Sequence, residues 1–130
     1  EGTVYEGEWT KDLRHGKGIV RFKDGSVYSG DIKRERIEGE GTWIYKDGSQ
    51  YTGSFRNGQK SGYGTHLNGH SGEIFQGDFE NGVRHGKGKM IEINGNSFSG
   101  VFDHGVVRGR GTYELRCSDD DADVISLRVF

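Results

Sequence analysis

The chain has 130 residues, a formal net charge of −2 and a mean hydropathy of −0.82, a size that suits one domain or a short repeat array. The near-neutral balance excludes a strongly basic nucleic-acid binder, and a single cysteine, Cys117, excludes a disulfide within the chain and fits a reducing compartment. Glycine supplies 24 residues and proline none, yet aromatic residues make up 12%, too many for a flexible glycine-rich linker.

Leucine and alanine are scarce while valine, isoleucine and aromatics are plentiful, a mix that favours strands over helices. No run approaches the ~18 apolar residues of a membrane helix, and no secretory signal is visible. Charge is unevenly placed. Asp119, Asp120, Asp121 and Asp123 stand against Arg128 near the C-terminus, so the rest of the chain is slightly positive.

In chain order, residues 1–4, "EGTV", fit the last four positions of a unit that then repeats, so the array is expected to continue one that starts earlier, as a fragment of a longer protein. The copies are "YEGEWTKDLRHGKGIVRFKDGSV" (5–27), "YSGDIKRERIEGEGTWIYKDGSQ" (28–50), "YTGSFRNGQKSGYGTHLNGHSGEI" (51–74), "FQGDFENGVRHGKGKMIEINGNS" (75–97) and a last one at 98–115. Their spacings are 23, 23, 24 and 23 residues, and the extra residue falls in the turn "NGHSG". Residues 116–130 are expected to form an acidic loop and a terminal capping strand, "VISLRVF", over the last exposed edge.

Within each copy the first residue is aromatic (Tyr5, Tyr28, Tyr51, Phe75, Phe98), the third is glycine, and the fifth is large and apolar (Trp9, Ile32, Phe55, Phe79, Phe102). A period of two places these on one face of a strand, with polar residues between them on the other. A turn follows, often Asn-Gly, and a second strand is expected to start near a G-x-G pair such as Gly16 and Gly18. It ends at Asp-Gly or Asn-Gly, as at Asp24-Gly25, where glycine supplies positive φ. Each copy therefore reads as a β-hairpin, and one hairpin is marginal alone, so the copies must stack. The fold class is all-β: an elongated, curved, solenoid-like array of stacked antiparallel β-hairpins with a 23-residue period. Glycine in the third and fourteenth columns leaves room for neighbouring rings to lie flat.

The segments "YEGEWTKDLRHGKG" and "FQGDFENGVRHGKG" resemble the MORN (membrane occupation and recognition nexus) repeat, whose pattern runs roughly Y-x-G-x-W/F-x-x-G-x-x-H-G-x-G. The first departs at Asp12, the second copy at Ile32, Glu35 and Glu38, and the third at Ser61. The resemblance implies a curved sheet with a groove along one face. It further implies use in cytoskeletal, ciliary or membrane-junction proteins, or beside an enzyme on the same polypeptide.

The recurring "RHGKG" (14–18 and 84–88) carries no nucleotide chemistry. A Walker loop needs G-x-x-x-x-G-K-[ST], and a dinucleotide fingerprint needs a helix where a strand follows here. Single histidines scattered through the copies supply no metal-ligand spacing, and "DDDAD" lacks the glycine and final glutamate of a calcium loop. No nucleophile recurs with a base. Neither catalysis, metal nor cofactor is assigned.

The reading is a non-catalytic scaffold, a protein–protein interaction module. It is expected to hold a partner peptide or helix, or a second copy as a homodimer, along a groove lined by Tyr5, Trp9, Tyr28, Trp43, Tyr51, Phe55, Phe75, Phe79, Phe98 and Phe102. The alternative is anionic phospholipid binding through a basic turn edge of Lys11, Arg14, Lys17, Lys60, Arg84, Lys87, Arg108 and Arg110. A third reading is a module that positions or regulates a catalytic domain elsewhere on the chain. Nucleic acid is not an expected partner, and the expected location is cytoplasmic, associated with cytoskeleton or membrane.

Overall fold

A computed structural model of the chain describes residues 3–118 and 121–129, with side chains from 3 to 116. The strands are β1 (Val4–Thr10), β2 (Leu13–Arg21), β3 (Val27–Lys33), β4 (Arg36–Ile44), β5 (Gln50–Arg56) and β6 (Gln59–Leu67). They continue as β7 (Ile74–Glu80), β8 (Val83–Ile91), β9 (Ser97–Asp103), β10 (Val106–Ser118) and β11 (Asp121–Val129). All lie in one 11-stranded sheet in sequence order, every neighbouring pair antiparallel. Of the expected acidic loop, Asp119 and Asp120 lie outside the described residues, and the backbone from Asp121 onward is already strand, paired to β10. The accessible surface is 8411 Å² for 14.5 kDa, against about 6,900 Å² for a compact protein of that mass. The array is elongated.

Each hairpin closes through two residues that both take positive φ. They are Lys11-Asp12 (50°, 64°), Arg34-Glu35 (46°, 72°), Asn57-Gly58 (51°, 78°), Asn81-Gly82 (50°, 88°) and His104-Gly105 (52°, 89°). That is the type I′ geometry whose twist matches the strands. Because the turn takes two residues only, the second strand starts directly after it, at Leu13, Arg36, Gln59, Val83 and Val106. The G-x-G pairs therefore lie inside second strands, not near their starts as the spacing had implied.

One register row of the sheet consists of glycine on nine consecutive strands: Gly7, Gly18, Gly30, Gly41, Gly53, Gly64, Gly77, Gly88 and Gly100. The first-position rings lie flat along this trough. A Cβ on Gly64 would stand 2.2 Å from the Tyr51 hydroxyl, and one on Gly88 2.3 Å from Phe75 Cζ. No real Cβ tolerates such distances, so the glycines are required for close approach.

The rings then join in a zigzag of edge-to-face contacts. Tyr28 meets Phe55 at 5.2 Å between centroids, Phe55 meets Tyr51 at 5.1 Å, and Tyr51 meets Phe79 at 5.0 Å. Phe79 meets Phe75 at 5.3 Å, and Phe75 meets Phe102 at 5.1 Å. All five pairs are within a few degrees of perpendicular, the arrangement the ring quadrupole favours. Tyr28, Tyr51 and Phe75 are 0% exposed. This ladder is the hydrophobic core of a one-layer protein.

A bulge falls between the third and fifth residues of the first four copies, as at Gly7/Trp9 and Gly53/Phe55. Where the ring is tyrosine, its hydroxyl donates to the carbonyl of the fourth residue: Tyr5 to Glu8 at 2.7 Å, Tyr28 to Asp31 at 2.7 Å, Tyr51 to Ser54 at 2.9 Å. Burial and nearby carboxylates push the Tyr28 phenol up, and burial above all pushes Tyr51 up to about 12. Both stay neutral donors.

Candidate functional site

The glycine motif that recurs in each copy joins one hairpin to the next. The turn N–H groups of Glu35, Gly58, Gly82 and Gly105 donate to the carbonyls of Arg14, Ile37, Lys60 and Arg84, at 2.8–3.0 Å. One residue further on, His15 Nδ1 accepts from the Arg34 N–H at 3.0 Å, and Glu38 Oε1 does the same for Asn57 at 3.0 Å. Glutamate can replace histidine in that column because the required function is an acceptor. "RHGKG" is thus a zip between repeats.

The expected groove residues divide into two sets. Tyr28, Tyr51, Phe55, Phe75, Phe79 and Phe102 are buried within the ladder and offer no surface to a partner. They pack against each other so completely because the glycine trough lets the rings lie flat. Trp9 is 58% exposed at the N-terminal end, edge-on to Tyr5 at 5.3 Å. Trp43, Tyr5 and Phe98 are half-buried.

The open surface of this face is a second aromatic line, of which Trp43 was expected from the sequence and Phe22, Tyr45 and His66 were not. Phe22 stacks on Trp43 at 4.9 Å and 10°, Trp43 lies beside Tyr45 at 6.1 Å and 22°, and Tyr45 meets His66 at 6.2 Å. The signal was present in the sixteenth and eighteenth columns, where "VRF", "WIY" and "HLN" alternate on the face of the first-position rings. Those columns vary from copy to copy, so only Trp43 stood out among the four residues of the line.

The basic residues do not form one edge. Arg14, Lys60 and Arg84 occupy the tenth column and fold over rings: Arg14 over Tyr5 at 5.7 Å, Arg84 over Phe75 at 4.5 Å, and Lys60 over Tyr45 at 5.3 Å and over Tyr51 and Phe79 at 5.6 Å. Lys17 pairs with Asp31, and Arg108 with Asp103 at 3.2 Å. Lys11, Lys87 and Arg110 are exposed. Arg14 is further held by Glu35 at 2.5 Å, and Arg84 lies 3.7 Å from Glu73.

Lys60 is the exception in this column. It has no carboxylate within 4.0 Å among the described residues. Two cavities of about 250 Å³ flank it, one lined by Trp43, Tyr45 and Phe55, the other by His66, Phe79 and Arg84. Burial, followed by the charge of Arg84, lowers the Lys60 pKa. Burial, then Lys60 and Arg84, lowers that of His66 against the opposing pull of Asp47. The indole N–H of Trp43 is also buried with no acceptor among the described residues. The face is rich in donors and short of acceptors.

A single sheet of stacked two-strand units, zipped by glycine turns, defines a β-hairpin repeat array. The MORN repeat family model matches at residues 5–27, 28–50, 51–67 and 75–97, and the chain belongs to that family. MORN repeats serve as protein- and membrane-interaction modules and are not themselves catalytic. Among solved structures the chain is similar to the SAS-4 (dCPAP) TCP domain in complex with a proline-rich motif of Ana2 (dSTIL) of Drosophila melanogaster. That similarity has 12% identity and a TM-score of 0.48, over 84% of this chain and 61% of that one. No curated protein matches the chain. No helix among the described residues is long and apolar enough to cross a membrane.

Proposed function

We propose that the chain is a protein-interaction module that lays an extended, acidic segment of a partner along Phe22, Trp43, Tyr45 and His66, with a partner carboxylate at Lys60. The observation that supports this reading is Lys60 itself: a half-buried cation between two cavities, stacked on aromatic rings and lacking a carboxylate of its own. A half-buried charge without a counter-ion has an incomplete environment, and an incoming carboxylate would complete it. The flat aromatic line supplies contact area at low entropy cost, as interface aromatics do. Arg14 and Arg84 already have acidic neighbours, which supports Lys60, in the central copy, as the cation of this column that meets a partner carboxylate. The dispersal of the remaining basic residues argues against a lipid-binding edge.

The test is selection of random ten-residue peptides on the intact chain, followed by affinity measurement on variants. Selected peptides should be enriched in Asp or Glu beside apolar residues. Their affinity should fall at least tenfold on Lys60→Gln, equivalent to about 1.4 kcal/mol, and also on Trp43→Ala, with melting curves confirming the fold. Affinity unchanged by Lys60→Gln would overturn the acidic-peptide reading. So would light scattering that shows the face occupied by a second copy, or binding confined to vesicles containing phosphoinositide.

A further inference from the structure

The same three columns meet at every junction between repeats: the eleventh residue of one copy and the sixth and seventh of the next. At the first junction they are His15, Lys33 and Arg34; at the second, Glu38, Arg56 and Asn57; at the third, Ser61, Glu80 and Asn81. At the fourth they are His85, Asp103 and His104, and only there are all three metal-ligating residues. One ligand atom from each lies within 4.8 Å of the others. His104 Nδ1 is 2.5 Å from Asp103 Oδ1, and His85 Nδ1 is 3.7 Å from that same oxygen. The exposed Glu80 carboxylate stands 3.3 Å from His85 Nε2, on the far side of the ring, where it can accept from an Nε2–H and leave Nδ1 to a ligand role. The two histidines were set aside in the sequence as single residues without metal-ligand spacing, His85 and His104 being 19 positions apart. The 23-residue repeat cancels that distance.

We propose that His85, Asp103 and His104 form a binding site for a borderline divalent transition-metal ion of the Zn²⁺ class. Two imidazoles and a carboxylate suit Zn²⁺ and its neighbours and do not suit Ca²⁺ or Mg²⁺, which take oxygen. Ligand atoms around a tetrahedral ion with bonds of about 2.0–2.1 Å stand roughly 3.4 Å apart, inside the range of separations seen here. Side-chain rotation of the exposed His104 is enough to converge them. Arg108 takes the other oxygen, Asp103 Oδ2, at 3.2 Å, which leaves Oδ1 to the imidazoles. The backbone tie of this junction is long, 3.4 Å from His104 N–H to His85 Nδ1, against 3.0 Å at the first junction. His85 gives up little by turning to a metal. At the first junction Lys33 and Arg34 supply cations in the two equivalent places and repel one.

Titration of the intact chain with ZnCl₂, by calorimetry and thermal melting, tests the site. One equivalent should bind saturably and raise the melting temperature. His104→Asn, which keeps a residue suited to the turn's positive φ, and Asp103→Asn should each weaken binding at least tenfold. His15→Ala should leave binding unchanged. Lys33→Asp with Arg34→His, which copies the fourth junction onto the first, should raise the stoichiometry from one to two. Absence of saturable binding, or binding of equal strength in His104→Asn, overturns the site.

Discussion

The segment Arg-His-Gly-Lys-Gly occurs at 14–18 and again at 84–88, and the two copies are made identical by sequence and different by surroundings. In both, the arginine carbonyl and histidine ring accept from the turn of the next copy, the arginine folds over a ring, and the last glycine lies beneath that ring. The neighbours differ. The first copy lies under half-exposed Tyr5 and beside a turn with Arg34 and Glu35, while the second lies under fully buried Phe75 and beside Asp103 and His104. Five residues thus specify a backbone joint. The chemistry at that joint is set by variable columns contributed by the following repeat.

The largest effect that separates the two copies should come from their glycines. Valine at Gly88 would drive a Cβ to 2.3 Å from Phe75 Cζ, and at Gly18 to 2.4 Å from Tyr5 Cε1. The clash is alike, but the escape routes are not. Phe75 is boxed between Phe79 and Phe102, whereas Tyr5 has Trp9 as its one ring neighbour and solvent beyond. Gly88→Val is expected to cost about 3 kcal/mol or more and Gly18→Val about 1–2 kcal/mol, read from urea unfolding. Equal losses would show that the trough is equally rigid at edge and centre.

A smaller effect, of opposite sign, lies in the turns. The first copy turns through Lys11-Asp12, whose second residue sits at φ 64°, where the fourth copy uses Gly82 at φ 88°. A left-handed aspartate is strained and glycine is not, so Asp12→Gly should stabilise the array by about 0.5–1 kcal/mol. Glu35 holds the equivalent place in the second copy at φ 72°. Its carboxylate accepts from the Arg14 backbone N–H, Nε and Nη2. Glu35→Gly would relieve the same strain and lose those bonds, so it should show no gain by thermal melting. A gain at Glu35 would mean that the Arg14 bonds contribute little to the joint.

These contrasts also mark what could be read before the fold was known. Hairpins, period, turn positions and the glycine trough were legible because they rest on residues whose chemistry is local: Asn-Gly for positive φ, alternation for a strand face, absence of Cβ for close approach. The division of the aromatics was not legible. Nothing in the spacing of Phe55 and Trp43 says that the first is consumed by a perpendicular ladder while the second stacks in the open with Phe22 and Tyr45. Lys60 looked like one more basic residue in a turn, because its missing counter-ion is a fact about the tenth column of neighbouring copies. The cluster at His85 and His104 was hidden for the same reason.

A last effect, no larger than that of the turns, bears on the ring above each motif. Tyr5 covers the first copy and gives its hydroxyl to the Glu8 carbonyl at 2.7 Å, and Tyr51 does the same for Ser54 at 2.9 Å, each beside the bulge that follows the third-column glycine. Phe75 stands above the second copy with the same bulge, between Gly77 and Phe79, and no hydroxyl. The trough geometry is shared, so Phe75→Tyr should place an O–H within reach of the Asp78 carbonyl and stabilise by about 0.5–1 kcal/mol, with Tyr51→Phe costing a similar amount. Both are measured by urea unfolding. The opposing force is crowding, because the Arg84 guanidinium lies 4.5 Å above the Phe75 ring and the ring has no exposed surface. A gain at Phe75 paired with a loss at Tyr51 would show that the bulged carbonyl accepts a hydroxyl wherever one is supplied. A loss at both would mean that the second copy has closed the space the first keeps open, and that the two motifs differ in packing as well as in partners.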